Sequence, residues 1–205
     1  MIFLMGCFLK RFNWWCFYSF YGAVCDFLEN LIKSTGMSEK NDVKAAEYVR
    51  PTWDEYFMEV ARTIAKRATC DRGRSGCVIA RDNQILVTGY VGSPAGLPHC
   101  DEKGHLLKKM LHNDGTISQH CVRTVHAEQN AICQAAKRGI SIDGGTVYCR
   151  MTPCRTCAML LINCGIKRVV CEKHYHDEAD SLKMLEEAGI KIEHLEDCLQ
   201  TYENM

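Results

Sequence analysis

From Thr52 onward, apolar positions recur at helical spacing. Trp53, Phe57, Val60, Ile64 and Ala68 share one face of a helix predicted over Thr52 to Ala68. Two short strands, Cys77 to Ala80 and Ile85 to Thr88, flank the polar pair Asp82-Asn83, a hairpin signal. Ala127, Ala131, Ile132, Ala135 and Ala136 then form the apolar stripe of a helix over His126 to Lys137, with Thr124 as candidate N-cap and Gly139 as its stop. A strand at Thr146 to Cys149 leads to Pro153 and a helix over Cys154 to Asn163, ended by Gly165. The strand Lys167 to Cys171, the helix Glu178 to Ala188 before Gly189, and the strand Ile190 to His194 complete the pattern. Strands alternating with helices predict layered α/β architecture.

The flanks follow other rules. Residues 1–36 concentrate aromatic side chains, but Lys10-Arg11 and Asp26 interrupt every apolar run before it reaches the roughly 18 residues of a membrane span. The positive charges follow the first apolar run instead of preceding it, so a signal peptide is not expected. This segment reads as an atypical extension ahead of Met37, or as a weak membrane-surface or partner-binding element. Residues 37–50 read as a charged linker, 51–197 as the folded domain and 198–205 as a polar tail. Formal net charge is zero and there are 14 cysteines. Without a basic excess, a small substrate is expected over a nucleic acid. With no secretory leader, a cytoplasmic chain is expected, its cysteines serving metal and core, not disulfides.

Two motifs then carry the chemistry: His126-Ala127-Glu128 and Pro153-Cys154-Arg155-Thr156-Cys157. His126, Cys154 and Cys157 make three zinc ligands, which leaves the fourth tetrahedral position open, as catalytic sites require. Both motifs fall on predicted helix starts, so two facing helix N-termini would gather the ligands. The dipole there favours thiolate. Glu128 lies close enough to move protons without binding the metal. Zinc makes hydroxide available near neutral pH, and one carboxylate can protonate an aromatic ring nitrogen and then a departing amine. The set therefore fits hydrolytic removal of an amine from a heterocycle. A structural zinc would need a fourth ligand and would leave Glu128 unexplained.

Longer runs extend the match: Pro51 to Met58, Gly92 to Cys100, Thr124 to Ile132, and Asn163 to Val170. With these, the segment from about Arg50 to His194 resembles the zinc-dependent cytidine and deoxycytidylate deaminase family. It is most similar to the branch of deoxycytidylate deaminases and late competence proteins. The resemblance implies a three-layer α/β/α fold with a central mixed five-stranded sheet. The implied reaction is dCMP plus water to dUMP plus ammonia, with zinc on His126, Cys154 and Cys157 and Glu128 as the catalytic residue.

The branch also implies a second, structural zinc, with Cys70 and Cys100 as ligands. His105 is the candidate third ligand and His120 the candidate fourth, with Cys121 competing and His112 weaker. Analogy points to Arg72 and Arg74 for the substrate phosphate, with Arg123 and Arg150 behind them. The loop Gly89 to Pro94, which includes Ser93, is expected to meet the sugar. Two departures stand out: Val91 replaces an asparagine, and Arg150 replaces a threonine. They leave open another cytosine nucleotide, another aminated base or a nucleic acid as substrate. A non-catalytic zinc scaffold is the rival of a different class. A homo-oligomer, a hexamer among its forms, with dCTP and dTTP as effectors, is also implied.

Overall fold

The computed structural model describes residues 27, 30, 31, 48–111, 115 and 117–201. Expectations for the rest of the extension and linker, for His112 and for residues 202–205 lie outside the described residues. Among the described residues, no helix is long and apolar enough to cross a membrane.

The domain begins with α1 (Trp53–Ala65). Thr52 and Glu55 form a reciprocal capping box that satisfies the first free N–H groups. Phe57, Met58, Ala61 and Ala65 are its buried stripe, while Trp53 is half exposed and Val60 and Ile64 are partly buried. The expected face is thus rotated towards the small residues, and the helix stops at Ala65, short of Ala68. Next come β1 (Gly76–Arg81) and β2 (Gln84–Tyr90), paired antiparallel. Asp82 and Asn83 both take positive φ, 53° and 60°, the backbone of a two-residue hairpin turn matched to strand twist.

An insertion holds a one-turn helix, α2 (Cys100–Lys103), and a separate hairpin of β3 (Leu107–Leu111) and β4 (Ile117–Cys121). The main sheet resumes through α3 (Ala127–Arg138), β5 (Thr146–Met151), α4 (Arg155–Asn163), β6 (Arg168–Lys173), α5 (Ala179–Glu187) and β7 (Lys191–His194). Its strand order is β2-β1-β5-β6-β7. β1 pairs antiparallel with β5, and β5, β6 and β7 run parallel, each joined by a crossover helix. The sheet is mixed and five-stranded, as expected.

Side-chain alternation along the strands separates two cores. Val78, Ala80, Tyr148 and Val170 pack with Phe57, Met58 and Ala61 of α1. Cys77, Ile79, Val147, Cys149, Val169 and Cys171 face the other way, onto Ala131 of α3, Leu161 of α4 and Leu185 of α5. Cys77, Cys149 and Cys171 are therefore core residues. The helices approach the sheet closely at two glycines. A Cβ on Gly76 would lie 2.3 Å from the Ala61 carbonyl oxygen, and one on Gly89 would lie 2.2 Å from that of Ala127. Beyond β7 the chain returns to pair with His174: His174 N–H donates to Cys198 O, and Gln200 N–H donates to His174 O, both at 2.9 Å. Residues 198–200 are thus part of the domain, not of a free tail.

Candidate active site

The ends of β5 and β6 and the starts of α3 and α4 meet at one cleft, where parallel sheets commonly place ligands. His126 is the N-cap residue of α3, with extended backbone (φ −67°, ψ 157°), and Thr124 lies before it. The chain entering α3 is tied to Gly92, two residues beyond β2, by paired bonds between Gly92 and Val125. Asn130 of α3 donates to Tyr90 O at 2.7 Å, which fixes the helix on the sheet. Cys154 caps α4 with the same extended backbone, and Cys157 lies in its first turn.

These constraints bring the expected triad together. His126 Nδ1 lies 3.4 Å from Cys154 Sγ and 3.5 Å from Cys157 Sγ. Three soft or borderline donors converging this closely, on a site open to the cleft, fit zinc. A hydrogen bond from Cys157 and the His126 ring hold the Cys154 thiol down at about 4. The bond to Cys154 lifts His126 to about 9. At Cys154 the arrangement therefore favours the thiolate form. Glu128 is buried, and its carboxylate accepts from the Cys157 thiol at 3.5 Å. Burial raises its pKa above the ordinary carboxylate value, which suits a group that must take up and release a proton.

A second cluster lies beside the first. Cys70 Sγ is 3.7 Å from His105 Nδ1, and Cys100 Sγ is 3.6 Å from Cys121 Sγ. The four ligand atoms lie within 4.8 Å of one another. Asp71 meets the far nitrogen of His105 at 2.9 Å and orients the ring, a common support for ligating histidines. Burial opposes ionisation of Cys121, but hydrogen bonds from the Arg123 N–H and His105 bring it down to about 7. His120, the expected fourth member, is not in this group. Neighbouring residues of β4 point to opposite faces, so Cys121 joins the cluster while His120 hydrogen-bonds Ser118 at 2.7 Å.

The substrate candidates divide. Arg72 lines the cleft and donates to Gln119 O at 3.0 Å. Arg74 and Ser93 do not line it. The Ser93 hydroxyl is buried with no hydrogen-bond partner among the described residues. Arg150 pairs with Glu172 at 2.8 Å, and Arg123 donates to Gly104 O at 3.0 Å, so each is held by other groups. Val91 does line the cleft. Sequence reasoning missed Tyr175 and His176, which form part of the cleft wall. Their position directly after a parallel strand was the available signal. The His120 and His176 rings lie 6.5 Å apart.

Residues 51–173 match the cytidine and deoxycytidylate deaminase zinc-binding region. The chain belongs to that family. Among its relatives is ComE operon protein 2 of Bacillus subtilis (strain 168), 37% identical over 147 residues, covering 72% of this chain and 73% of that protein. The deoxycytidylate deaminase of Schizosaccharomyces pombe is 34% identical over 154 residues, covering 75% of this chain and 47% of that protein. The chain spans about half the length of the two yeast enzymes it matches, 47% and 52%. The dCMP deaminase of the cyanophage S-TIM5, crystallised with dCMP and dUMP, superposes with a TM-score of 0.58. It is 27% identical and covers 72% of this chain and all of that one. The family is zinc-binding, and the His126, Cys154 and Cys157 cluster is a group of this chain that could hold a metal ion.

Proposed function

We propose that this chain deaminates a cytosine nucleotide, converting dCMP and water to dUMP and ammonia. The carrying observation is the His126–Cys154–Cys157 triad with the buried Glu128 carboxylate against it. Zinc held by these three residues would make hydroxide available from water at neutral pH. Glu128 takes the proton that the attacking water gives up and passes it to the pyrimidine ring nitrogen as the water's oxygen bonds to the adjacent carbon. It then takes the remaining proton of the newly bonded hydroxyl and delivers it to the amine, so that the C–N bond breaks, the carbonyl forms and ammonia leaves. Burial raises the pKa of the carboxyl, which suits it to take up and hold each proton in turn. The cleft walls and the α3 and α4 starts would orient the ring.

The rim supports a phosphorylated substrate. Arg72, His120 and His176 line the cleft and offer donors suited to a phosphate, while Glu128 is its one carboxylate among the described residues. Two relatives bear names for dCMP deamination, and the cyanophage structure holds dCMP and dUMP. A second zinc on Cys70, Cys100, His105 and Cys121 is part of the proposal. It would pin the exposed β3–β4 hairpin, which is too small to be stable alone. A homo-oligomer controlled by dCTP and dTTP is the remaining part, read from native mass and from turnover with each nucleotide added.

The test is ammonia release by zinc-loaded protein from dCMP, CMP, dCTP, deoxycytidine and cytosine. Selective turnover of dCMP is expected. Turnover of deoxycytidine or cytosine equal to that of dCMP would contradict phosphate recognition, and silence across the panel would contradict the reaction.

A further inference from the structure

A third group, His174, Glu178 and His194, brings ligand-type atoms within 4.8 Å of one another at the ends of β6 and β7 and the start of α5. Two histidines and a carboxylate are a familiar metal set. The geometry serves another purpose. His174 Nδ1 is bonded to the Glu178 carboxylate at 2.7 Å, and its Nε2 lies 3.3 Å from Asp197. His194 Nε2 meets the Thr152 hydroxyl at 2.9 Å. The two rings stack with centroids 3.8 Å apart and planes 15° from parallel. Their in-plane lone pairs therefore run side by side and do not converge on one ion.

Glu178 is the hub of this network. Its carboxylate accepts from the Thr152 hydroxyl and from the Tyr175 N–H at 3.0 Å while pairing with His174. Thr152 follows β5 and Tyr175 follows β6, and both line the cleft. We propose that Glu178 is a positioning residue that ties these two strand ends into one rigid wall and so sets affinity for the nucleotide. The proposal rests on the substrate reading above. A wall ordered before binding spares the substrate the cost of ordering it. The triad does not share this dependence. Thr152 N–H donates to Lys173 O at 3.2 Å, so the backbone leading to Cys154 is held without Glu178.

The experiment measures kcat and KM for dCMP on zinc-loaded full-length variants, with urea unfolding alongside. Glu178→Ala should raise KM about tenfold, because the wall must be ordered on binding. Its kcat should stay within about twofold, because the transition-state groups are untouched. Glu178→Gln keeps an acceptor at the same reach and an amide N–H that can donate to His174 Nδ1, so KM should return to within about threefold of wild type. Glu178→Asp keeps the charge but falls one methylene short, and should behave like Glu178→Ala. Thr152→Val removes the hydroxyl's bonds to Glu178 and His194 but leaves those of Glu178 to Tyr175 and His174, and should raise KM by a smaller factor. It decides the matter if Glu178→Ala fails to fold. A fall in kcat at unchanged KM would overturn the proposal. So would rescue by Asp but not Gln, or a third zinc per chain that Glu178→Ala loses. If wild type ignores dCMP, the substrate reading fails by itself, and the same KM comparison is made on the substrate it does turn over.

Discussion

Gly89→Ala tests whether the catalytic helix is placed by the sheet. The added Cβ would lie 2.2 Å from Ala127 O and 2.5 Å from Ala131 N, both backbone atoms of α3. Neither can swing aside as a side chain would, so the helix start must move outward by about 1 Å, with an overpacking cost of about 1–3 kcal/mol. Reduced freedom of the unfolded chain returns about 0.4–1 kcal/mol, leaving a net loss near 1–2 kcal/mol. The same movement carries His126 and Glu128, and about 1 Å of misplacement in a catalytic constellation costs about a hundredfold in turnover. Gly76→Ala is the matched control. Its Cβ would lie 2.3 Å from Ala61 O and 2.7 Å from Ala65 N, on α1, which carries none of the triad. Urea unfolding and steady-state kinetics on both variants make the comparison. Similar destabilisation with turnover lost only in Gly89→Ala is expected. Equal turnover in the two variants would refute the reasoning.

Other outcomes follow from the same structure. Metal analysis should find two zinc ions per chain, one of them lost in Cys121→Ser and both retained in His120→Ala; the reverse pattern would restore His120 as ligand. Asp54 accepts two bonds from Arg168, each 2.7 Å, and one from Tyr148 at 2.8 Å. The Arg168 guanidinium holds the Asp54 carboxyl below its ordinary value of 3.8. A lowered carboxylate stabilises the fold fully above its unfolded pKa and loses that contribution as pH falls through the folded one. Asp54→Asn should therefore cost about 1–2 kcal/mol at pH 7 and progressively less below about pH 4, seen as a flatter dependence of unfolding free energy on pH. A constant difference down to pH 2 would contradict this.

Much of the fold was legible because its signals are local. The periodic stripe of α3, the turn residues Asp82 and Asn83, and the glycines after each crossover helix each constrain a few neighbouring residues. The triad was legible for the same reason, since both motifs sit at helix starts. The β3–β4 hairpin was not read, because β3 is exposed throughout and no residue of β4 is fully buried. Choosing between His120 and Cys121 required strand parity, which depends on that unread hairpin. Arg74 and Arg72 are two residues apart, and only the tight turn Asp71–Gly73 decides which lines the cleft. The Glu178 network joins three strand ends distant in sequence, so no local pattern announces it.

The most direct test of the central claim compares wild type with Glu128→Ala, each loaded with zinc and assayed on dCMP. The proton transfers assigned to Glu128 predict that the variant binds the same zinc and dCMP but loses about 10²–10⁴-fold or more in kcat. Wild-type turnover of dCMP with an equally active, zinc-replete Glu128→Ala variant would contradict the role assigned to this carboxylate, and absence of wild-type turnover would contradict the reaction itself.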